Sequence, residues 1–539
     1  MRGKTIRRRA WTPVLFVGAG LAAFAGDGNF IPTPAEAAGY REYTRNESVA
    51  AFLSELAARA PALRVSAVGR SLPTEACGAM DLFLAVLAEK PAAAPAELDR
   101  TKPTVLITAA QHGNEQSAKE AALRLVRDLA AGELSPLLER LNVLVMPQTN
   151  PCGNLRNVRG NELGLDMNRD HVKLETEGVR AIHRVFRDWM PEVTIDVHEK
   201  GDDYYRISIG CVSNANIDAG LQDFSRNTLL AETGRALEKR KVTFHEYLVT
   251  EELGVDTSSG SARAAERPAA REEMKRYSTT DLNDGRNSLG IFETLSFIQE
   301  GASRHDLETL QPRTDWQYDG LRAFLESAAG HAPEILELVR SRRARLLERA
   351  AGRLPGDDVR LRMKYVRDPA VPELRLKRFD REGPPVRGVL RVDKKAGEAV
   401  TFADLLPPGY LFEGGRPEIA ETLRALGVEV GMFARDVLVE AEVYEVESII
   451  PARFDYDPPE RIDVAAKAAR LPVRKGDFYV SCVQPAAHLV PCLLEPQSDY
   501  GFIRYGKFKL IPEAGGLYEI RRYAGKEDLP VVPYRPWRP

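Results

Sequence analysis

Apolar residues fall along this chain in two spacings. Short runs of strand length, at residues 104–110, 142–146, 193–197, 207–212 and 288–292, are apolar almost without interruption, as strands buried on both faces of a sheet are. Between them the spacing becomes helical, with Val49, Phe52, Leu53 and Leu56 inside residues 41–64 and similar stripes at 115–131 and 177–189. Strands alternating with helices predict an α/β fold, a mixed sheet sandwiched by helices. A charged helix rich in Arg and Leu is expected over 333–352, and Leu354-Pro355-Gly356-Asp357-Asp358 reads as a linker. From about residue 359 the texture changes to β-branched or alternating segments (386–392, 437–446, 477–483) between Pro/Gly turns, with one helical stretch at 417–426. This predicts a second, smaller, strand-rich α+β domain. The expected division is 1–38, 39–353 and 354–539. Residues 254–276, polar and charge-mixed, read as a surface excursion, either a flap or an insertion without a role.

Composition narrows the class only a little. A formal net charge of −3 with 28% charged residues gives no basic field to attract nucleic acid. The N-terminus says more. Arg2, Lys4, Arg7, Arg8 and Arg9 precede an apolar stretch over 11–26, and Ala35-Glu36-Ala37-Ala38 offers the small-residue shape of a signal peptidase site. Residues 1–38 therefore read as a signal peptide, with an uncleaved anchor as the alternative, and the chain is expected to be exported to a periplasm or medium. No other apolar run is long enough to span a membrane. Export permits disulfides, and among five cysteines the local pair Cys482–Cys492 is the expected one.

Candidate chemistry gathers at the ends of the apolar runs. His112 and Glu115 follow 104–110, and His198 follows 193–197. Two imidazoles and a carboxylate suit zinc, and three protein ligands leave a fourth position for water. In α/β sheets ligands bind at the carboxyl ends of strands, where these residues fall. His171, His183, His245, His305 and His331 have no partner at ligand spacing and read as core or surface histidines.

Asn150-Pro151-Cys152-Gly153 and the run from Arg159 to Asp170 lie between the second and third of these residues, and residues 287–294 end in Glu293 and Thr294. With these in order, residues 40–330 resemble the carboxypeptidase A-like zinc metallopeptidase family, and the long extension looks like the appended region of some bacterial members. The resemblance implies one zinc per chain on His112, Glu115 and His198, with Glu293 as general base. Glu300, past the strand in a Gly-flanked turn, is a weaker rival. It further implies Arg159 as the oxyanion stabiliser (Arg156 if the register slips), Asn168 and Arg169 as the grip on a substrate's terminal carboxylate, and Asp166 as the acceptor behind a zinc-bound histidine. Cys152 departs from the family, where aspartate is usual, and the family's carboxylate-binding tyrosine has no secure match, Tyr277 being the nearest. The implied activity is removal of C-terminal residues from peptides. A zinc amidohydrolase of the aspartoacylase type is the competing reading, and a non-catalytic binding protein the third.

Overall fold

The computed structural model describes residues 30–201, 205–252, 272–276, 279–352, 359–363, 365–378, 381–392, 406–451, 459–512 and 515–535. Residues 1–29 of the expected signal segment, 254–271 of the expected excursion 254–276, and the expected linker 354–358 lie outside the described residues; Glu272–Arg276 of the excursion form a strand.

Eight strands form one mixed sheet: β1 (Leu63–Arg70), β2 (Asp81–Leu87), β3 (Thr104–Ala109), β4 (Asn142–Met146), β5 (Val193–Gly201), β6 (Ile207–Cys211), β7 (Phe244–Glu246) and β8 (Leu295–Ser303). Their order is β1-β2-β4-β3-β5-β8-β6-β7. The central four, β4-β3-β5-β8, are mutually parallel, so their carboxyl ends share one edge. Every residue of β3, β4 and β8 is buried, as strands covered on both faces must be. Helices over Gln116–Ala131, Glu177–Trp189 and Leu310–Gly330 supply the cover. The anticipated α/β architecture is present, with boundaries within a few residues at most elements.

One element differs in kind. Residues 288–292 belong to a helix, Gly285–Gly290, and the turn after it rather than to a strand. Asp284 caps that helix, its carboxylate accepting from the Asn287 backbone N–H at 2.8 Å. The chain then turns through Glu293, whose φ is 54°, before β8 begins at Leu295. A short apolar run fits either a buried helix or a buried strand.

The N-terminal boundary also moves. Thr33 and Glu36 form a capping box on the short helix Pro34–Ala37. Ile31 and Ala35 are buried, and Glu36 pairs with Arg127. Residues 30–38, assigned above to the leader, are packed against the main sheet unit.

Beyond residue 405, seven strands form a wholly antiparallel sheet dominated by the long hairpin Val437–Ile450 with Arg461–Val473. Its helix Leu489–Leu494 packs back on the first unit. His488 Nδ1 lies 2.6 Å from the Asn216 carbonyl, Asn216 bonds both ways with the Arg360 backbone, and the Tyr500 hydroxyl reaches Thr280 at 2.9 Å. Apolar side chains of both parts belong to one continuous core.

The disulfide expectation is overturned. Cys77 bonds to Cys152, with Cα atoms 5.8 Å apart, while Cys482 and Cys492 are separate buried thiols. Cys492 packs against Asn216, whose amide nitrogen lies 3.2 Å from its sulfur.

Candidate metal centre

The chain leaves β3 through Ala110, at φ 59°, and turns back over the sheet edge. This turn is held by the Asn150–Arg159 segment. Asn150 Nδ2 donates to the Gln111 carbonyl (3.0 Å), Asn154 Nδ2 to the Gly113 carbonyl (2.8 Å), and Gly113 N–H to the Arg159 carbonyl (3.2 Å). Gly113 has to be glycine, because a Cβ there would lie 2.0 Å from the Gly153 carbonyl carbon. Asn150 also caps the helix Pro151–Arg156, accepting from Gly153 N–H at 2.9 Å. Cys152, in that first turn, is tied to Cys77. Glu115 then leads into the helix Gln116–Ala131.

His112, Glu115 and His198 converge, all buried, with one ligand atom from each lying within 4.8 Å of the others. His112 Nδ1 is 2.7 Å from Glu115 Oε1, His198 Nδ1 is 2.8 Å from Glu115 Oε2, and the two Nδ1 atoms are 3.1 Å apart. Both imidazoles thus turn Nδ1 inward. Each outer nitrogen meets a carboxylate: Asp166 Oδ1 lies 2.9 Å from His112 Nε2, and Asp196 Oδ2 lies 2.6 Å from His198 Nε2. A carboxylate behind each imidazole fixes its tautomer with Nδ1 as the donor to a metal. Burial opposes charge on all three groups, yet the electrostatics prevail. Asp196 and Glu115 hold the His198 imidazole well above its ordinary pKa, Glu115 and Asp166 raise His112, and the two imidazoles hold the Glu115 carboxyl far down. The field that draws protons onto these imidazoles also favours a divalent cation.

Glu300 sits on β8 in register with His198 on β5 and with Ser208 on β6. It is buried, and burial raises its carboxyl pKa against the pull of His198. Lys200, two residues beyond His198 on the same face, donates to Ser208 Oγ at 2.7 Å. Burial, opposed by Glu300, brings its ammonium pKa down to about 8.

Glu293 is elsewhere. It precedes β8, at the amino end of the strand whose carboxyl end carries Glu300, roughly 20 Å away along extended chain. Its carboxylate accepts from the Asp218 backbone N–H at 3.1 Å and faces Arg343. The general-base assignment to Glu293 is therefore corrected: parallel strands put the reactive edge at their carboxyl ends, and Glu293 is on the opposite edge.

Arg159 is half exposed and makes a two-pronged contact to Asp166 Oδ2 (3.0 and 2.9 Å), with Nη1 3.9 Å from Glu115 Oε1. Asn168 is buried, its Oδ1 accepting from Gly285 N–H at 2.9 Å and its Nδ2 3.4 Å from His198 Nε2. Arg169 is exposed, its Nη1 donating to the Asn168 carbonyl at 2.6 Å. Arg156 is exposed in the last turn of its helix, and Tyr277 lies outside the described residues. The sequence reading did not single out Asp196 or Gln111. The Asp-x-His spacing within a strand, which puts both side chains on one face, was the available signal for Asp196.

Residues 49–188 match the sequence profile of the zinc carboxypeptidase family. Carboxypeptidase 2 of Trichophyton tonsurans is 25% identical over 444 residues, covering 76% of this chain and 74% of that protein. Carboxypeptidase 2 of Trichophyton rubrum is 25% identical over 450 residues with the same coverage. Among solved structures, a carboxypeptidase-titled protein of Burkholderia mallei aligns at 19% identity and TM-score 0.38, covering 56% of this chain and 70% of its own. A metallo-carboxypeptidase of Pseudomonas aeruginosa aligns at 16% and TM-score 0.37, covering 55% and 71%. Over these stretches the chain is similar to zinc carboxypeptidases.

Proposed function

We propose that this enzyme uses one zinc ion on His112, Glu115 and His198 to hydrolyse the last peptide bond of substrates with a free C-terminal carboxylate. The observation that carries the reading is the convergence of three buried donors, each imidazole backed by a carboxylate, beside a fourth carboxylate on the neighbouring strand. Zinc there supplies a Lewis acid for a carbonyl oxygen and lowers the pKa of a water. Glu300 is the general base. Its raised pKa suits it to take a proton from the attacking water and return it to the leaving amine. Arg159, held by Asp166 beside Glu115, offers its positive charge to the oxygen on which negative charge develops. Asn168 and Arg169 are adjacent in the chain, and a guanidinium fork there matches a terminal carboxylate.

The test compares Glu300→Gln with Glu293→Gln on zinc-loaded protein, using peptides with free and amidated C-termini and N-acyl amino acids. Glu300→Gln is expected to lose roughly 10²–10⁴-fold in turnover, the scale of a general base, while keeping its zinc. Full activity in that variant overturns the assignment. Equal cleavage of free and amidated peptides overturns the carboxylate grip, and preference for N-acyl amino acids overturns the substrate class.

Export belongs to the same proposal. The basic and apolar N-terminal pattern supports it, and so does the Cys77–Cys152 disulfide, a bond that persists in oxidising compartments. Cell fractionation checks it, with recovery only from the cytosol as the opposing result.

A further inference from the structure

Behind the carboxylate that backs His198 runs a buried row of polar side chains that the proposed reaction does not use. It begins at Asp196. A carboxylate can only accept hydrogen bonds, and this one takes three: from Thr108 Oγ1 at 2.8 Å, from Gln111 Nε2 at 2.6 Å, and from His198 Nε2 at 2.6 Å. The Gln111 amide is thereby oriented, nitrogen toward Asp196 and oxygen away. That oxygen faces His171 Nε2 at 3.0 Å, so the His171 proton is on Nε2. His171 Nδ1 must then accept, and its partner, 3.0 Å away, is His183 Nε2. This leaves His183 Nδ1 as a bare lone pair, an atom with no hydrogen-bond partner among the described residues. From one carboxylate to the last nitrogen the row has a single consistent arrangement of protons.

Two further observations fix it. His171 and His183 are fully enclosed, and burial holds both imidazoles neutral, His183 with a pKa down to about 3. The helix Gly285–Gly290 is laid directly over the row. A Cβ on Gly285 would stand 2.9 Å from Asp196 Oδ2 and from Gln111 Nε2, and 3.3 Å from His171 Cε1, which leaves no space for water there.

We propose that His171 is a positioning residue for the metal centre, setting through Gln111 and Asp196 the orientation of the His198 imidazole. Without its N–H the Gln111 oxygen is a buried acceptor with no donor. The amide is then free to turn its oxygen on Asp196, and the carboxylate that holds His198 loses a fixed partner. The two histidines read from sequence as core or surface residues are, in this account, the far end of the metal site. The inference rests on the reading of His112, Glu115 and His198 as zinc ligands.

The experiment measures zinc affinity of the full mature chain by competition with a chelator, in the parent and in His171→Gln and His171→Met. Glutamine places an amide N–H where the imidazole Nε2–H was, whereas methionine fills similar space and donates nothing. His171→Met is expected to bind zinc about tenfold more weakly, the low end for partners outside the ligand shell, and His171→Gln to stay with the parent. A cobalt-loaded sample is expected to show an altered visible spectrum in the methionine variant alone. Unchanged affinity in His171→Met, or equal weakening in both variants, makes His171 a packing residue and overturns the proposal. Should His171→Met not fold, His183→Leu against His183→Gln tests the same row from its end, with the same two outcomes. A parent that takes up no zinc overturns the metal reading itself and this inference with it.

Discussion

Seven positions separate Glu293 from Glu300, and the strand between them decides which can touch the metal site. Glu293 is expected to matter for stability alone. Glu293→Gln leaves the Asp218 N–H with a neutral acceptor and Arg343 facing one charge fewer, so thermal unfolding should shift down by about 1–3 kcal/mol while kcat/KM holds. A loss of turnover without a loss of stability would contradict this. The misassignment has a physical origin. The apolar run over 288–292 fits strand and helix alike, and only the Asp284 cap three residues before Asn287 marked it as a helix. The three metal-capable residues were legible because they lie at the ends of short apolar runs, whereas Asp196 and Gln111 take their meaning from a contact with each other across 85 residues of sequence. His183 gives a pH prediction. It is neutral when folded, with a pKa down to about 3 against an ordinary 6.5, so between those values the unfolded chain takes up a proton that the folded chain refuses. Its contribution therefore falls as pH drops below 6.5 and is lost fully near 3. His112 and His198, raised by their carboxylates, push the other way. The difference between parent and His183→Leu isolates the effect: in metal-free protein, the parent's stability relative to the variant should decline steadily from pH 7 to pH 4. A constant difference would show that His183 takes up its proton in the fold at the same pH as in the unfolded chain.

The turn Asn150–Gly153 and the turn at Gly113 are pressed together backbone to backbone, and the ligand pair His112 and Glu115 brackets the contact. Gly113→Ala is expected to destabilise by about 1–3 kcal/mol or more, because backbone rather than a flexible side chain meets the new methyl. Zinc affinity should fall with it, as measured on whatever folded protein remains. Retained affinity would show that the two turns separate without moving the ligands. The disulfide clamps the same contact from behind. Cys77→Ala with Cys152→Ala is expected to cost about 2–4 kcal/mol in chemical unfolding, and an unchanged midpoint would make the bond dispensable. The central strands and the helices Gln116–Ala131 and Glu177–Trp189 were legible because period and length agree, whereas β1, β2 and the helix Leu310–Gly330 were not singled out. The disulfide was not, because its cysteines are 75 residues apart and nothing in sequence says which strand ends meet.

Taken whole, the two parts of the chain share one core. Asn216, held from Arg360, His488 and Cys492, is a junction between them. The composition change near residue 359 was visible in sequence, but not that the second sheet would seal apolar surface of the first. A chain ending at residue 353 is expected to be insoluble or to unfold well below the full chain, and an equally stable fragment would show that the seam is superficial. The N-terminal segment makes a similar point: Ile31, Ala35 and Glu36 are anchored on the main unit, so the mature protein is expected by intact mass to retain them. The parallel central strands have one more consequence, and it concerns time. In the proposed site the first ligand is His112, the last is His198, and the base is Glu300. That proposed site is incomplete in a nascent chain until the strand bearing Glu300 has emerged and paired beside β5, a long-range and therefore slow closure. Under the proposed function, such a chain cannot cut peptides before its sheet has closed.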